Sequence, residues 1–102
     1  MNNNLISNLP EDCCVEVPCK INNKGINPQK VGDLPMHLAN LIKTNINVQQ
    51  LTVEAFRTKK KETIYHAAML DPLTSSVLSL DQITSIVDEL LIAHKNWIPK
   101  FN

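Results

Sequence analysis

The chain has 102 residues, 43% of them hydrophobic, and its ten basic and ten acidic residues cancel. This length allows one compact core, burying roughly two thirds of the unfolded surface, and excludes a second, while the balanced charge excludes an overall field drawing the chain to nucleic acid or a membrane surface. With only two glycines, Gly25 and Gly32, it has neither a G-x-G-x-x-G fingerprint nor a Walker loop to cradle a nucleotide phosphate.

The opening residues, MNNNLISNLPEDCC, lack the basic start and apolar middle of a signal peptide, and no apolar run approaches the ~20 residues of a bilayer span. A cytoplasmic location is therefore expected. Three cysteines, an odd number in a reducing compartment, argue against a disulfide framework. Residues 1–9 read as a flexible segment and 10–102 as a single domain. In CCVEVPCKI, residues 13–21, Cys13, Val15, Val17, Cys19 and Ile21 share one parity, the pattern of a half-buried strand, and Pro18 makes it an edge strand or one that changes partner midway. NNKG, residues 22–25, is a turn in which Asn23 or Gly25 takes positive φ. A second short strand, Ile26 to Val31, follows before GDLP leads into the helices.

The spacing predicts one long helix from Pro35 to Arg57. Its apolar residues, Leu38, Leu41, Ile42, Ile46, Val48, Leu51, Val53, Ala55 and Phe56, cover an arc of roughly 220°. Asn40, Lys43, Asn47, Gln50, Glu54 and Arg57 occupy the complementary, wet side. Inside the apolar arc, Asn45, Gln49 and Thr52 are spaced i, i+4, i+7 and form one polar stripe. Buried carboxamides need partners, so the stripe is expected to be an internal or inter-lobe hydrogen-bonding seam, or a wall facing another domain, a cofactor or a polyhydroxylated ligand.

The lysine run 59–61 reads as a solvated turn before a second helix, Lys60 to Leu70. Asp71 before Pro72 caps a short third helix over DPLTSSVL. Ser79 and Gln82 form a capping box for the fourth helix, whose inner face is Ile83, Ile86, Val87, Leu90, Leu91, His94 and Trp97. The fold class expected is α+β and mostly helical: a short strand pair or hairpin, one long helix, two shorter helices and a C-terminal helix.

Catalytic and metal signals are weak. Cys13 and Cys14 point to opposite faces of a strand, and no C-x-x-C or H-x-x-x-H pair seeds a tetrahedral site. Cys13 and Cys19 read as small buried residues, His37, His66 and His94 as structural or surface histidines, and Glu16 as a salt-bridge or capping carboxylate. No catalytic, cofactor-binding or metal residue is assigned.

NLPEDCCVEVPC, VGDLP, LANL, TNINVQ, VEA, AAMLDPLT, LSLDQI, VDELL and the W-I-P at residues 97–99, in this order, resemble the C-terminal end of family 4 glycoside hydrolases, in the branch of α-glucosidases, α-galactosidases (melibiases) and α-galacturonidases. The likeness runs from Asn8 to Trp97. It implies the C-terminal lobe of a lactate/malate-dehydrogenase-like enzyme that uses NAD and a divalent metal, usually manganese. Such enzymes cleave α-glycosides by oxidation at C3, elimination, water addition and reduction rather than with two carboxylates. The resemblance also implies that the NAD loop, the metal-binding Cys and His and the catalytic base lie in motifs upstream, so that none of Cys13, Cys14 or Cys19 is the family's metal cysteine. The chain alone is then expected to be inactive, without NAD or Mn2+ of its own, and to form a homodimer or higher oligomer through apolar helix faces. The alternative is a non-catalytic structural or oligomerisation module from a truncated or remnant gene. The residues do not choose between galactose, glucose and galacturonate.

Overall fold

The computed structural model describes every residue from Met1 to Asn102, and these divide into two compact units, Met1–Lys43 and Thr44–Asn102. Each unit has buried side chains of its own, Ile6, Leu9, Cys13 and Ala39 in the first and Ile46, Ala55, Ala67, Ile83 and Val87 in the second. Residues 1–9 are not a loose tail. They wind around Asn2, whose side chain is fully buried. Its amide nitrogen donates to the carbonyls of Ile6 at 2.9 Å, Leu9 at 3.1 Å and Pro10 at 3.0 Å, and its oxygen accepts from the Ile6 N–H at 2.8 Å. Asn3 and Asn4 take φ of 44° and 64°, a region asparagine tolerates because its short side chain can bond locally. Ile6, Leu9 and Cys13 bury themselves around this centre. Asn8 then ties the segment to the loop before the first helix, donating to Leu34 C=O at 2.7 Å and accepting from its N–H at 3.0 Å.

Only the end of the expected first strand is a strand. β1 is Cys19–Asn22 and pairs antiparallel with β2, Gly25–Pro28, in the register Cys19↔Pro28 to Asn22↔Gly25. The alternation upstream survives without a ladder: Cys13 is buried and Val15 and Val17 half-buried, with exposed residues between them. The Cys13 carbonyl is already taken by the Asn2 N–H, at 2.8 Å, and Pro18 has no N–H to offer. The second strand likewise stops at Pro28 rather than Val31. Gly25, at φ 110°, takes the positive angle at the turn, and Asn23 does not. Every residue of the hairpin is exposed, so Cys19 and Ile21 are not on a buried face.

The helices follow the sequence closely. α1 is Met36–Thr58, continuous over 23 residues, and it ends where Lys59 adopts φ 59° and bonds its N–H to Ala55 C=O at 2.8 Å. In the second unit α2 is Lys61–Met69, α3 Pro72–Val77 and α4 Leu80–Ala93. The Asp71 carboxylate accepts from the Thr74 N–H at 2.7 Å, and Ser79 and Gln82 form the reciprocal box that starts α4. α2 packs on α3 and α4, and α3 on α4, around buried Ala67, Ile83 and Val87. The inner face expected of α4 is narrower in the structure. Ile86, Leu90 and Trp97 are exposed, and His94 is the C-cap rather than a packed residue. The chain after α4 returns to the α1–α2 turn, where Asn102 N–H bonds Lys59 C=O at 2.7 Å and Lys61 N–H bonds Asn102 C=O at 2.9 Å.

Candidate functional site

Helix α1 positions the polar stripe singled out in the sequence. Asn45, Gln49 and Thr52 all lie on the helix surface and all are exposed. No internal network covers them: the Thr52 hydroxyl donates to Val48 C=O at 2.8 Å, the ordinary back-bond of a helical threonine. Around the stripe the apolar residues are bare as well, with Leu41 64%, Val53 67% and Phe56 62% exposed. Meanwhile Lys43, Gln50 and Glu54, on the side expected to be wet, are half-buried, although Asn40, Asn47 and Arg57 remain in solvent. The chain therefore covers part of the charged side of α1 and leaves much of its apolar arc open. In the second unit, Asn45, Gln49, Thr52, Val53 and Phe56 form a surface without a single charge.

In the second unit the C-terminal turn of α1, α2, α4 and the returning tail enclose a hollow of about 380 Å³. Its walls include Phe56, Ile64, Leu91, Phe101 and the largely exposed Trp97, with Thr52 at one edge. The Lys59 ammonium lies 3.5 Å from the centre of the Phe56 ring and 5.8 Å from that of Phe101, joining the end of α1 to the tail.

One titratable cluster bridges two helices. Lys61 Nζ and the Tyr65 hydroxyl both donate to Asp88 Oδ1, at 2.8 Å and 2.5 Å. The hydrogen bond from Lys61, and then that from Tyr65, hold the Asp88 carboxyl below its ordinary range. The same bond to Asp88, then Tyr65, raises Lys61. Sequence reading missed this cluster, because residues 23 and 27 positions apart meet only after α2 packs on α4. It is nearly half open to solvent, so its geometry is that of a clamp rather than a catalytic centre.

The remaining candidates are not drawn together. No three His, Cys, Asp or Glu residues are placed to hold a metal ion. Cys13 is buried, and that burial, with the nearby Asp12, raises its thiol pKa. Cys14 and Cys19 are exposed, which corrects the buried role expected for Cys19. Glu16 is exposed beside Val15 and Val17 and takes no part in the ion pairs Glu54–Arg57 and Lys61–Asp88. Neither glycine opens a helix: Gly25 starts β2 and Gly32 precedes α1 by several residues. The residues present do not fit a dinucleotide or a catalytic divalent ion. No helix is long and apolar enough to cross a membrane.

Comparison with known proteins gives these features a setting. Residues 1–74 match the model described as the family 4 glycosyl hydrolase C-terminal domain. An α-galactosidase of Bacillus subtilis (strain 168) is 50% identical over 101 residues, which are 99% of this chain and 23% of that protein. A 6-phospho-α-glucosidase from gut microorganisms, solved in complex with NAD and glucose-6-phosphate, superposes with a TM-score of 0.87 at 27% identity, covering 99% of this chain and 22% of that one. A second 6-phospho-α-glucosidase structure, in complex with NAD and Mn2+, has the same fold at a TM-score of 0.87 and 21% identity, covering all of this chain and 23% of that one. The chain thus spans about a quarter of the length of these relatives.

Proposed function

Because the chain belongs to the family 4 glycosyl hydrolases, as their C-terminal domain, we propose that it is the C-terminal part of an α-glycosidase that acts with NAD and Mn2+. The observation that carries this reading is the 50% identity to an α-galactosidase over nearly the whole chain, which favours an α-galactoside as substrate. In this reading the reaction is the family's sequence of oxidation, elimination, addition and reduction, performed by groups outside these 102 residues. NAD supplies the redox chemistry and the metal the Lewis acid. A cytoplasmic location follows from the use of NAD, an intracellular cofactor.

The domain's own contribution is a wall. A charge-free helix face that the chain leaves open, with Asn45, Gln49 and Thr52 along it, has the composition of an interface awaiting its other side. The hairpin supports the same view: Ile21 and Ile26 are directly paired, yet 80% and 72% exposed, and a lone two-stranded hairpin is at best marginally stable in water. Asn45, Gln49 and Thr52 are then an inter-lobe seam that positions the substrate side of the site, not catalytic residues.

A chimera tests this. The matching stretch of the Bacillus subtilis α-galactosidase is replaced by this chain and assayed with a nitrophenyl α-galactoside, NAD, manganese and a reductant. Turnover by the chimera and none by the 102-residue chain are expected. A folded but inactive chimera, or turnover by the chain alone, contradicts the reading. A second reading, self-association, rests on the same exposed apolar surfaces. Light scattering at high micromolar concentration is expected to give a mass above that of a monomer, and a monomeric mass would count against it.

A further inference from the structure

The stretch that enters the hairpin of the first unit keeps one edge open. Burial alternates from Cys13 to Pro18, and Val15, Val17 and Cys19 line a hollow of about 430 Å³ that Glu16 also borders, so the chain runs extended from Val15 into β1. The Gln29 N–H donates to Pro18 C=O at 2.8 Å, which sets the phase of the β1–β2 ladder. In an antiparallel pair alternate residues bond inward. Pro18, Lys20 and Asn22 therefore face β2, while Val15, Val17, Cys19 and Ile21 turn their N–H and C=O groups outward. The Cys19 thiol, a weak donor 3.4 Å from the Val17 carbonyl, lies along that outer edge. Proline treats the two edges differently. Pro28 leaves the outer side of β2 without a donor, whereas the donor that Pro18 lacks belongs to the inner side of β1.

We infer that the edge of residues 14–22 binds the same edge of a second copy, antiparallel about a two-fold axis at Pro18, to make a four-stranded sheet across a dimer. The sequence is self-complementary about that residue. The axis sets Val17 opposite Cys19, Val15 opposite Ile21 and Glu16 opposite Lys20 of the second copy, and symmetry makes each pairing twice. Every outward-bonding residue then meets an outward-bonding one, and these side chains are apolar on both copies. Glu16 and Lys20 select the register. Both are exposed, and neither enters the ion pairs Glu54–Arg57, Lys61–Asp88 and Glu62–His66. Four positions apart in an extended strand, they stand roughly 13 Å from each other, too far to pair within one copy. The neighbouring two-fold registers oppose Glu16 to Glu16, oppose Lys20 to Lys20, or leave both charges facing uncharged residues. Unlike charges directly opposite stabilise a strand pair and like charges destabilise it.

This inference rests on the self-association reading above and gives it one edge, one register and a stoichiometry closed at two copies. Sedimentation equilibrium of the 102-residue chain should show a reversible dimer. Glu16→Lys alone and Lys20→Glu alone each put like charges opposite one another at both symmetric positions, and each should weaken dimerisation by about tenfold. An equimolar mixture of the two variants restores opposite signs at both positions and should dimerise as tightly as the parent. Lys24→Glu, in the turn beyond the paired segment, should change nothing. A monomeric parent at high micromolar concentration would overturn this inference and the self-association reading together. Association indifferent to both reversals, or a mixture no tighter than its components, would overturn the inference alone and leave self-association standing.

Discussion

The two units of this chain are built on opposite chemistry. The largest fully buried side chain of the first is an asparagine, Asn2, and that of the second an isoleucine, Ile83. Around Asn2 there is almost no regular structure, and irregular backbone is held by side-chain amides that stand in for a ladder. Around Ile83 three helices, two of them capped by side chains, bury a small apolar centre. A polar centre of this kind depends on every bond being made, whereas an apolar one degrades with the volume removed.

Two substitutions sharpen that contrast. Ile83→Ala is expected to destabilise the second unit by about 2–5 kcal/mol, the range for deleting a buried aliphatic side chain, while hydrogen exchange in the first unit changes little. Asn2→Ala should do the reverse, costing about 1–3 kcal/mol in the first unit because the carbonyls of Ile6, Leu9 and Pro10 and the Ile6 N–H lose their partner. Equal loss of protection in both units from either change would show that they unfold as one. Ser79→Ala, which removes the cap of α4, should cost about 1 kcal/mol in thermal unfolding.

A smaller, pH-dependent effect belongs to the Lys61–Tyr65–Asp88 clamp. The folded carboxyl of Asp88 is lowered, so its contribution is present above the unfolded carboxylate pKa and is lost as pH falls through the folded value. Lys61 is raised, so its contribution is complete below the ordinary lysine value and disappears as pH rises through the folded one. Asp88→Asn should therefore flatten both limbs of the stability profile. An unchanged acid limb would mean the clamp stores no stability there.

Local sequence determined what local physics determines. Asp71 before Pro72 and the Ser79–Gln82 box were legible because a cap and its helix are neighbours in the chain, and the extent of α1 because no glycine or proline interrupts it. The strand over residues 13–18 was misread, since alternation records which side chains turn inward and not whether a ladder partner exists. Residues 1–9 were misread because asparagine-rich composition resembles a flexible tail until the bonds of Asn2 are counted. The polar stripe Asn45, Gln49 and Thr52 was legible as a stripe, and its exposure was not. An apolar arc announces which surface is suited to being covered, and in these 102 residues Leu41, Val53 and Phe56 stay open.

The most direct measurement is one substitution made in two settings. Gln49→Glu places a charge on the bare face of α1. In the 102-residue chain it should leave the melting transition within about 0.5 kcal/mol of the parent, as at an ordinary surface site. In the chimera with the Bacillus subtilis α-galactosidase it should abolish assembly or turnover, because the charge would be buried without a partner. Equal tolerance in both settings would contradict the account, since it would show that this face stays in water in the complete enzyme.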